Sequence, residues 1–371
     1  MPTRVRSFSK INLGLAVGPA RADGFHELRT VYQTLALHDL VSVTARPAEE
    51  TRITLRANHP GVPRSEAGSA ERNTAWKMVA GALERMGVGA EVEIFIDKRL
   101  PVQGGMGAGS ANAVAALLGL ERELGRVGVA ALTAAERMAL AAEVGSDVSL
   151  FLLGGTILGV GRGEEVYPLA EAEDTRGLAC VVALPEVGVS TAAAFRQLDM
   201  RGKDAGSLTS GPSVHKLEEL SRTLAVVWKT SGAEYGPSGI AFTNRPELVS
   251  GDLQNTSMEV RHRAPAERED VSGDLAENPL LALVRTGIEN DFEEVVFSQH
   301  PSLRSTKRDL LGSSGDGALY AALSGSGSAL FGLYKSQADA RAAQYRVQRS
   351  GMRAILTETL SRREYWKAIF E

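Results

Sequence analysis

Four glycines, at positions 104, 105, 107 and 109, followed by Ser110, are the residues of this chain whose types and spacing point most directly to chemistry. They lie in the stretch LPVQGGMGAGSANAVAALL, Leu100 to Leu118, between a strand pattern and a helix pattern. Glycine reaches backbone angles that side chains forbid and lets a ligand approach the main-chain amides. Where such a loop opens a helix, the first amides lack intrahelical acceptors and the helix dipole adds partial positive charge, so phosphate is the expected guest. The loop fails two familiar motif tests. A Walker-type loop needs Lys and then Ser or Thr after its second glycine, but Ser110 and Ala111 follow Gly109; a dinucleotide fingerprint needs glycine where Asn112 stands. Read alone, it is either a phosphate cradle or a structural turn.

Three more positions carry groups able to act on a proton or a charge. Lys10 and Asn12 share one face of an alternating stretch whose other face is Ile11, Leu13, Leu15 and Val17. That pattern suits either a solvated edge or the floor of a polar cleft. Asp147 stands in the turn Gly145-Ser146-Asp147, where the ordinary reading is an Asx bond to the backbone. His26 follows the turn-rich loop GPARADGF, and a lone histidine is usually a hydrogen-bonded structural residue.

The elements that must position these groups are legible as patterns. Val92, Ile94 and Ile96 alternate with Glu91, Glu93 and Phe95 as in a half-buried strand, which Pro101 ends because it lacks an amide hydrogen. Val114, Leu117, Leu118 and Leu124 put one helical face after the glycine loop. Asn73 caps a helix through Met86, and Thr133 with Glu136 forms a capping box for a helix that ends at Gly145. Strands are expected near Thr34–Ala45, Thr51–Ala57, Val148–Leu153 and Leu178–Leu184, with a hairpin at Gly154-Gly155. Ser324–Ser328 is a turn between two strand-like runs, and Gln337–Gln348 then Met352–Thr357 read as helix and strand.

At 371 residues the chain is long enough for two domains, and 43% hydrophobic with 23% charged residues describes a globular protein. A net charge of -4 without a basic block gives no sign of a nucleic-acid surface. The single cysteine, Cys180, excludes an internal disulfide and lies in an apolar run. The opening residues lack a signal-peptide core and no run approaches a membrane span, so a cytoplasmic protein without membrane or nucleic-acid partners is expected.

The segments SKINLGLAVGPARADGFHEL, ERNTAWKMVAGAL, IDKRLPVQGGMGAGSANAVAAL, GSDVSLFLLGGTILGVGRGE, NDFEEVV and LYAALSGSGSALFGLY, in that order, resemble the GHMP kinase superfamily. The R-A-D-G-F-H-E and G-S-D-V motifs point to its branch acting on a diphosphocytidyl-linked methylerythritol rather than on galactose, homoserine or mevalonate. The resemblance implies an α+β, two-domain GHMP kinase fold. A ribosomal-protein-S5-like ATP-binding domain would span residues 1–165. A ferredoxin-like substrate-binding domain would span 166–371, with an insertion near 230–278. The implied activity is ATP-dependent phosphorylation of the acceptor's 2-hydroxyl in the non-mevalonate isoprenoid pathway, with Mg2+, by a monomer or weak homodimer.

Site roles follow from the same resemblance. Lys10 and Asp147 correspond to the catalytic pair at the acceptor hydroxyl. The ATP set is Asn73, Lys98, Pro101, Gly104, Gly105, Gly107, Gly109, Ser110 and Asn112, with Ser110 the candidate hydroxyl for metal or phosphate. The acceptor set is Asn12, Phe25, His26, Thr191, Phe195, Ser324, Gly325 and Ser326; Phe25 and Phe195 would sandwich the cytosine and His26 would pair with its polar edge. The chain departs from relatives at Ala111, where a second serine is usual, at Met106 for leucine, at Ser149 for proline and at Phe25 for tyrosine. It also carries an amphipathic stretch, His215–Lys229, followed by a Ser-, Gly-, Pro- and charge-rich segment, Thr230–Asn278, with no motif. From Pro279, PLLALVRTGIENDFEEVVF reads as one core helix leading into another. Another small-molecule kinase of the superfamily, or a non-catalytic nucleotide-binding regulator with the same fold, are the alternatives; Phe25, His26 and Phe195 argue against the first, Lys10 with Asp147 against the second.

Overall fold

A computed structural model of the protein describes residues 1–102, 104–169, 177–204, 289–313 and 315–371, the last four residues of the third segment as backbone only. The helix expected at His215–Lys229, the segment Thr230–Asn278 and the start of the helix expected from Pro279 lie outside them.

The first sheet has six strands. β1 (Thr3–Ala20) pairs along its length with β2 (His26–Pro47), and His26 and Glu27, after the loop, open that second strand. The far edge of β2 is shared: Leu40–Pro47 pairs with β4 (Ala90–Asp97) and Thr30–Gln33 with β5 (Thr156–Val160). β3 (Arg52–Ala57) runs parallel to β4, and β6 (Glu165–Pro168) closes the other edge against β5. Val92, Ile94 and Ile96 are buried, as their alternation predicts.

Helices pack over this sheet, the second in chain order against the strands and the first and third beside it. α1 (Thr74–Met86) is capped by Asn73, whose side chain accepts from the Ala75 amide. α2 (Ala108–Gly125) leaves the glycine loop, and α3 (Ala134–Val144) starts at the Thr133–Glu136 capping box. α2 corrects the single-face reading: Ala111–Glu121 are buried without a break, because the helix lies between sheet and neighbouring helices. The expected strand at Val148–Leu153 is also corrected. Ser149–Leu152 forms a 3-10 turn, since a wholly apolar run of this length fits any buried element. Gly154 and Gly155, both at positive φ, lead from that turn into β5, and the hairpin turns instead at Gly161–Gly163.

The second sheet, in order β10-β7-β9-β8, is antiparallel and built from β7 (Ala179–Leu184), β8 (Tyr320–Leu323), β9 (Leu330–Tyr334) and β10 (Arg353–Glu358). With it go α4 (Thr191–Asp204), α5 (Phe292–Gln299), α6 (Pro301–Leu311) and α7 (Gln337–Arg349). Cys180 is fully buried here, and burial holds its thiol well above the ordinary range, consistent with packing alone.

A short helix, α8 (Arg362–Ala368), follows β10 and starts at a capping box formed by Ser361 and Glu364. It returns to the first sheet: the Arg6 amide donates to Ile369 O, and the Tyr365 hydroxyl donates to Phe151 O at 2.7 Å. Among the described residues no helix is long and apolar enough to cross a membrane.

Candidate active site

Lys10 lies on β1 facing the glycine loop, and only 3% of its surface is exposed. A buried ammonium needs partners. Its Nζ donates to Asn12 Oδ1 at 2.7 Å and sits 3.2 Å from Asp147 Oδ2 and 5.3 Å from the centre of the Tyr32 ring. Asn12 is held in turn, donating from Nδ2 to Thr30 Oγ1 at 2.7 Å, while Thr30 donates to Gly14 O. Asp147 follows the end of α3, in a turn closed by the Val148 amide on Gly145 O. Its Oδ1 accepts from the Tyr32 hydroxyl at 3.1 Å. Burial, and then the negative charge of Asp147, push the Tyr32 hydroxyl well above the ordinary tyrosine range, so it stays a donor.

The glycine loop closes over Lys10. The Lys10 amide donates to Met106 O, and Gly105 and Gly107 take φ of +72° and +69°. A Cβ on Gly107 would reach Phe151 Cζ at 2.9 Å and Lys10 Cγ at 3.0 Å, so a side chain has no room there. The first intrahelical bond of α2 is made by Ala111 to Gly107 O, which leaves the amides of Ala108, Gly109 and Ser110 free of helical partners at the mouth of the loop.

The second sheet supplies the opposite wall. The turn Ser324–Ser328 is pinned to the loop by Ser324 Oγ donating to Gly105 O at 3.1 Å, and a Cβ on Gly325 would come 3.6 Å from Lys10 Nζ. Asn290, buried, holds this turn by donating to Leu323 O and Gly325 O at 2.8 Å each. Thr191 Oγ1 and Ser326 Oγ are 2.7 Å apart, which ties the start of α4 to the same turn. Lys10, Asn12, Asp147, Gly105, Gly107, Ser324, Gly325, Ser326 and Thr191 therefore form one contiguous group.

The remaining residues of the two sets have partners of their own. Lys98 and Asn112 both donate to the fully buried Asp39: Lys98 Nζ at 2.6 Å and Asn112 Nδ2 at 3.2 Å, and the Arg99 and Leu100 amides donate to its other oxygen at 2.7 Å each. They brace the chain entering the loop. Burial lowers the Lys98 pKa despite the attraction of Asp39. Asn73 is engaged in its cap and donates to Pro63 O. Phe25 is half exposed, with the Arg162 guanidinium 5.0 Å from its ring centre. Phe195 faces His26 directly, ring centres 4.9 Å apart and planes inclined by 19°. Tyr32, Asp39, Asn290 and Asp199 are the residues missed by pattern reading.

This arrangement can bind polyanionic phosphate on one side of a lysine–carboxylate pair and a hydroxyl compound on the other. Family models agree with the architecture: the GHMP kinases N terminal domain matches residues 73–155 and the GHMP kinases C terminal domain residues 274–353. A 4-diphosphocytidyl-2-C-methyl-D-erythritol kinase of Solibacter usitatus is 32% identical over 90% of this chain and 81% of its own length. The enzyme of the same name from Rhodococcus jostii is 36% identical over 76% and 80%. A crystal structure of 4-(cytidine 5'-diphospho)-2C-methyl-D-erythritol kinase, 24% identical, superposes with a TM-score of 0.59 over 96% of this chain and 98% of that one, a likeness of fold. The chain belongs to the 4-diphosphocytidyl-2-C-methyl-D-erythritol kinase family of the GHMP kinases.

Proposed function

We propose that this chain transfers the γ-phosphoryl group of ATP to the 2-hydroxyl of 4-diphosphocytidyl-2-C-methyl-D-erythritol, the activity its relatives are named for. The observation that carries the reading is the Lys10–Asp147 pair, 3.2 Å apart, set between the glycine loop and the Ser324 turn. Asp147 is assigned as the base: it takes the proton as the acceptor oxygen bonds to phosphorus and the bond to ADP breaks. Tyr32 and Lys10 hold one carboxylate oxygen each, which fixes the direction in which it receives that proton. Lys10 also offers its charge to the phosphoryl oxygens.

The residues present fit a nucleotide's phosphates, since the positive-φ glycines keep the cradle clear of side chains and free amides line it. For Mg2+, we assign the Ser110 hydroxyl as the protein's contribution beside the nucleotide's phosphates, since Mg2+ is ordinarily held by few protein ligands together with substrate phosphates. Among the described residues no group of three or more His, Cys, Asp or Glu is arranged to hold a metal ion. When bound, Mg2+ would neutralise negative charge on the nucleotide's phosphates. We assign residues 1–165 to the ATP-binding domain and 166–371 to the substrate-binding domain, with Phe25 and His26 of the first and Phe195 of the second around the cytosine. Purified protein given ATP, Mg2+ and the diphosphocytidyl acceptor should release ADP only when the acceptor is present. A folded sample with no acceptor-dependent ADP would overturn the reading.

A further inference from the structure

His26 is gripped from two sides by one helix. Thr191, Phe195 and Asp199 are spaced by four along α4 and so share a face. Thr191 anchors that face to Ser326, Phe195 stacks on the His26 ring, and Asp199 Oδ1 lies 2.7 Å from His26 Nε2. Phe292 meets Phe195 edge to face, ring centres 4.9 Å apart, which restrains the Phe195 ring. The imidazole is only 9% exposed and the carboxylate 38%.

A carboxylate can only accept. In a neutral imidazole, one nitrogen carries the proton and the other a lone pair, so a carboxylate on Nε2 fixes the proton there and leaves Nδ1 as an acceptor. The consequence is a recognition rule. An Nδ1 lone pair welcomes an amino group and repels a carbonyl oxygen. Cytosine and uracil differ at this point: the first bears an amino group at C4, the second an oxygen.

We propose that Asp199 is a positioning residue for base specificity, holding His26 in the Nε2–H tautomer so that Nδ1 selects an amino-bearing pyrimidine over uracil. Asp199 acts only through His26. The inference rests on the diphosphocytidyl acceptor proposed above, and its test separates the two. The Asp199→Ala enzyme should raise KM for the diphosphocytidyl acceptor about tenfold, as expected for one hydrogen bond in a desolvated site. Its preference for that acceptor over the uridine counterpart should fall by about the same factor, with KM for ATP unchanged. Asp199→Asn keeps an acceptor oxygen for Nε2–H and should remain within about threefold of wild type. In a His26→Ala background, Asp199→Ala should have no further effect on the base preference. Nitrogen-15 NMR of the free enzyme reads the tautomer without any substrate: one Nε2–H form of His26 in wild type, a tautomer mixture in Asp199→Ala. Unchanged base preference in a folded Asp199→Ala enzyme, or an unchanged His26 spectrum, overturns the inference. An inactive wild type with the expected spectrum and its loss in Asp199→Ala would instead sink the proposed reaction while leaving the His26–Asp199 coupling in place.

Discussion

Gly107 rests on Phe151: a Cβ at the glycine would lie 2.9 Å from Phe151 Cζ, closer than carbon atoms pack. Phe151 belongs to the 3-10 turn that follows Asp147, and its carbonyl accepts from Tyr365 of the terminal helix. The glycine loop and α8 thus meet at Phe151, four residues after the candidate base. Gly107→Ala adds strain from a φ of +69° to that clash and should displace the loop or Lys10. We expect kcat/KM for ATP to fall about a hundredfold, as for a misplacement near 1 Å, in an enzyme that still folds. Steady-state ADP release with circular dichroism checks it, and near-normal kinetics would refute the role of the loop.

Asp147→Asn keeps the shape of the side chain and can no longer take a proton. A drop in kcat of about 10²- to 10⁴-fold is expected, with ATP affinity by calorimetry held within a few-fold. Equal losses in kcat and in ATP affinity would move Asp147 from chemistry to nucleotide binding.

Tyr32→Phe removes the donor to Asp147 Oδ1 and leaves the ring beneath Lys10. A hydrogen bond to a charged group justifies a loss in kcat of about tenfold. Because burial first and Asp147 second hold the Tyr32 hydroxyl well above its ordinary value, it does not ionise at assay pH. The ratio of wild-type to variant kcat should therefore stay flat between about pH 6 and 9. A ratio that collapses toward one at the alkaline end would show that Tyr32 titrates.

Asp39 accepts from four donors, Lys98 Nζ, Asn112 Nδ2 and the amides of Arg99 and Leu100, without exposure. Asp39→Asn leaves the Lys98 ammonium buried and unpaired, which should destabilise the fold by about 3–5 kcal/mol in denaturant titration. Lys98→Met leaves the carboxylate three of its donors and should cost less. The reverse order would mean that Lys98, not Asp39, organises the loop entrance.

These residues also mark how far the sequence could be read. Asn73, Thr133 with Glu136, and the alternation of β4 declare their structure locally, because caps and strand periods are short-range physics. Lys10 and Asp147 were identified by resemblance; by composition each had an ordinary reading as a solvated lysine and a turn aspartate. Asp39, Tyr32 and Asn290 take their roles from partners 33 to 115 residues away, which no local pattern encodes. The run after Asp147 misled for a related reason. Once Phe151 is packed between Gly107 and Tyr365, tertiary contacts rather than strand propensity decide its backbone.

Glu121 gives a test of stability against pH that is independent of activity. It is 8% exposed on α2, accepting from Arg137 Nε at 2.9 Å and the Leu132 amide at 3.2 Å. Burial raises its pKa, and the Arg137 pairing only partly offsets that rise. The folded protein therefore binds this proton more tightly than the unfolded chain does. The stabilisation is fully present below the ordinary glutamate value, about 4.3, and is lost as pH rises through the higher folded value. Glu121→Gln carries no such proton. The melting temperature of the variant relative to wild type should accordingly improve from about pH 4 toward neutrality. A difference that stays constant, or runs the other way, would mean that the Arg137 ion pair outweighs burial at this site.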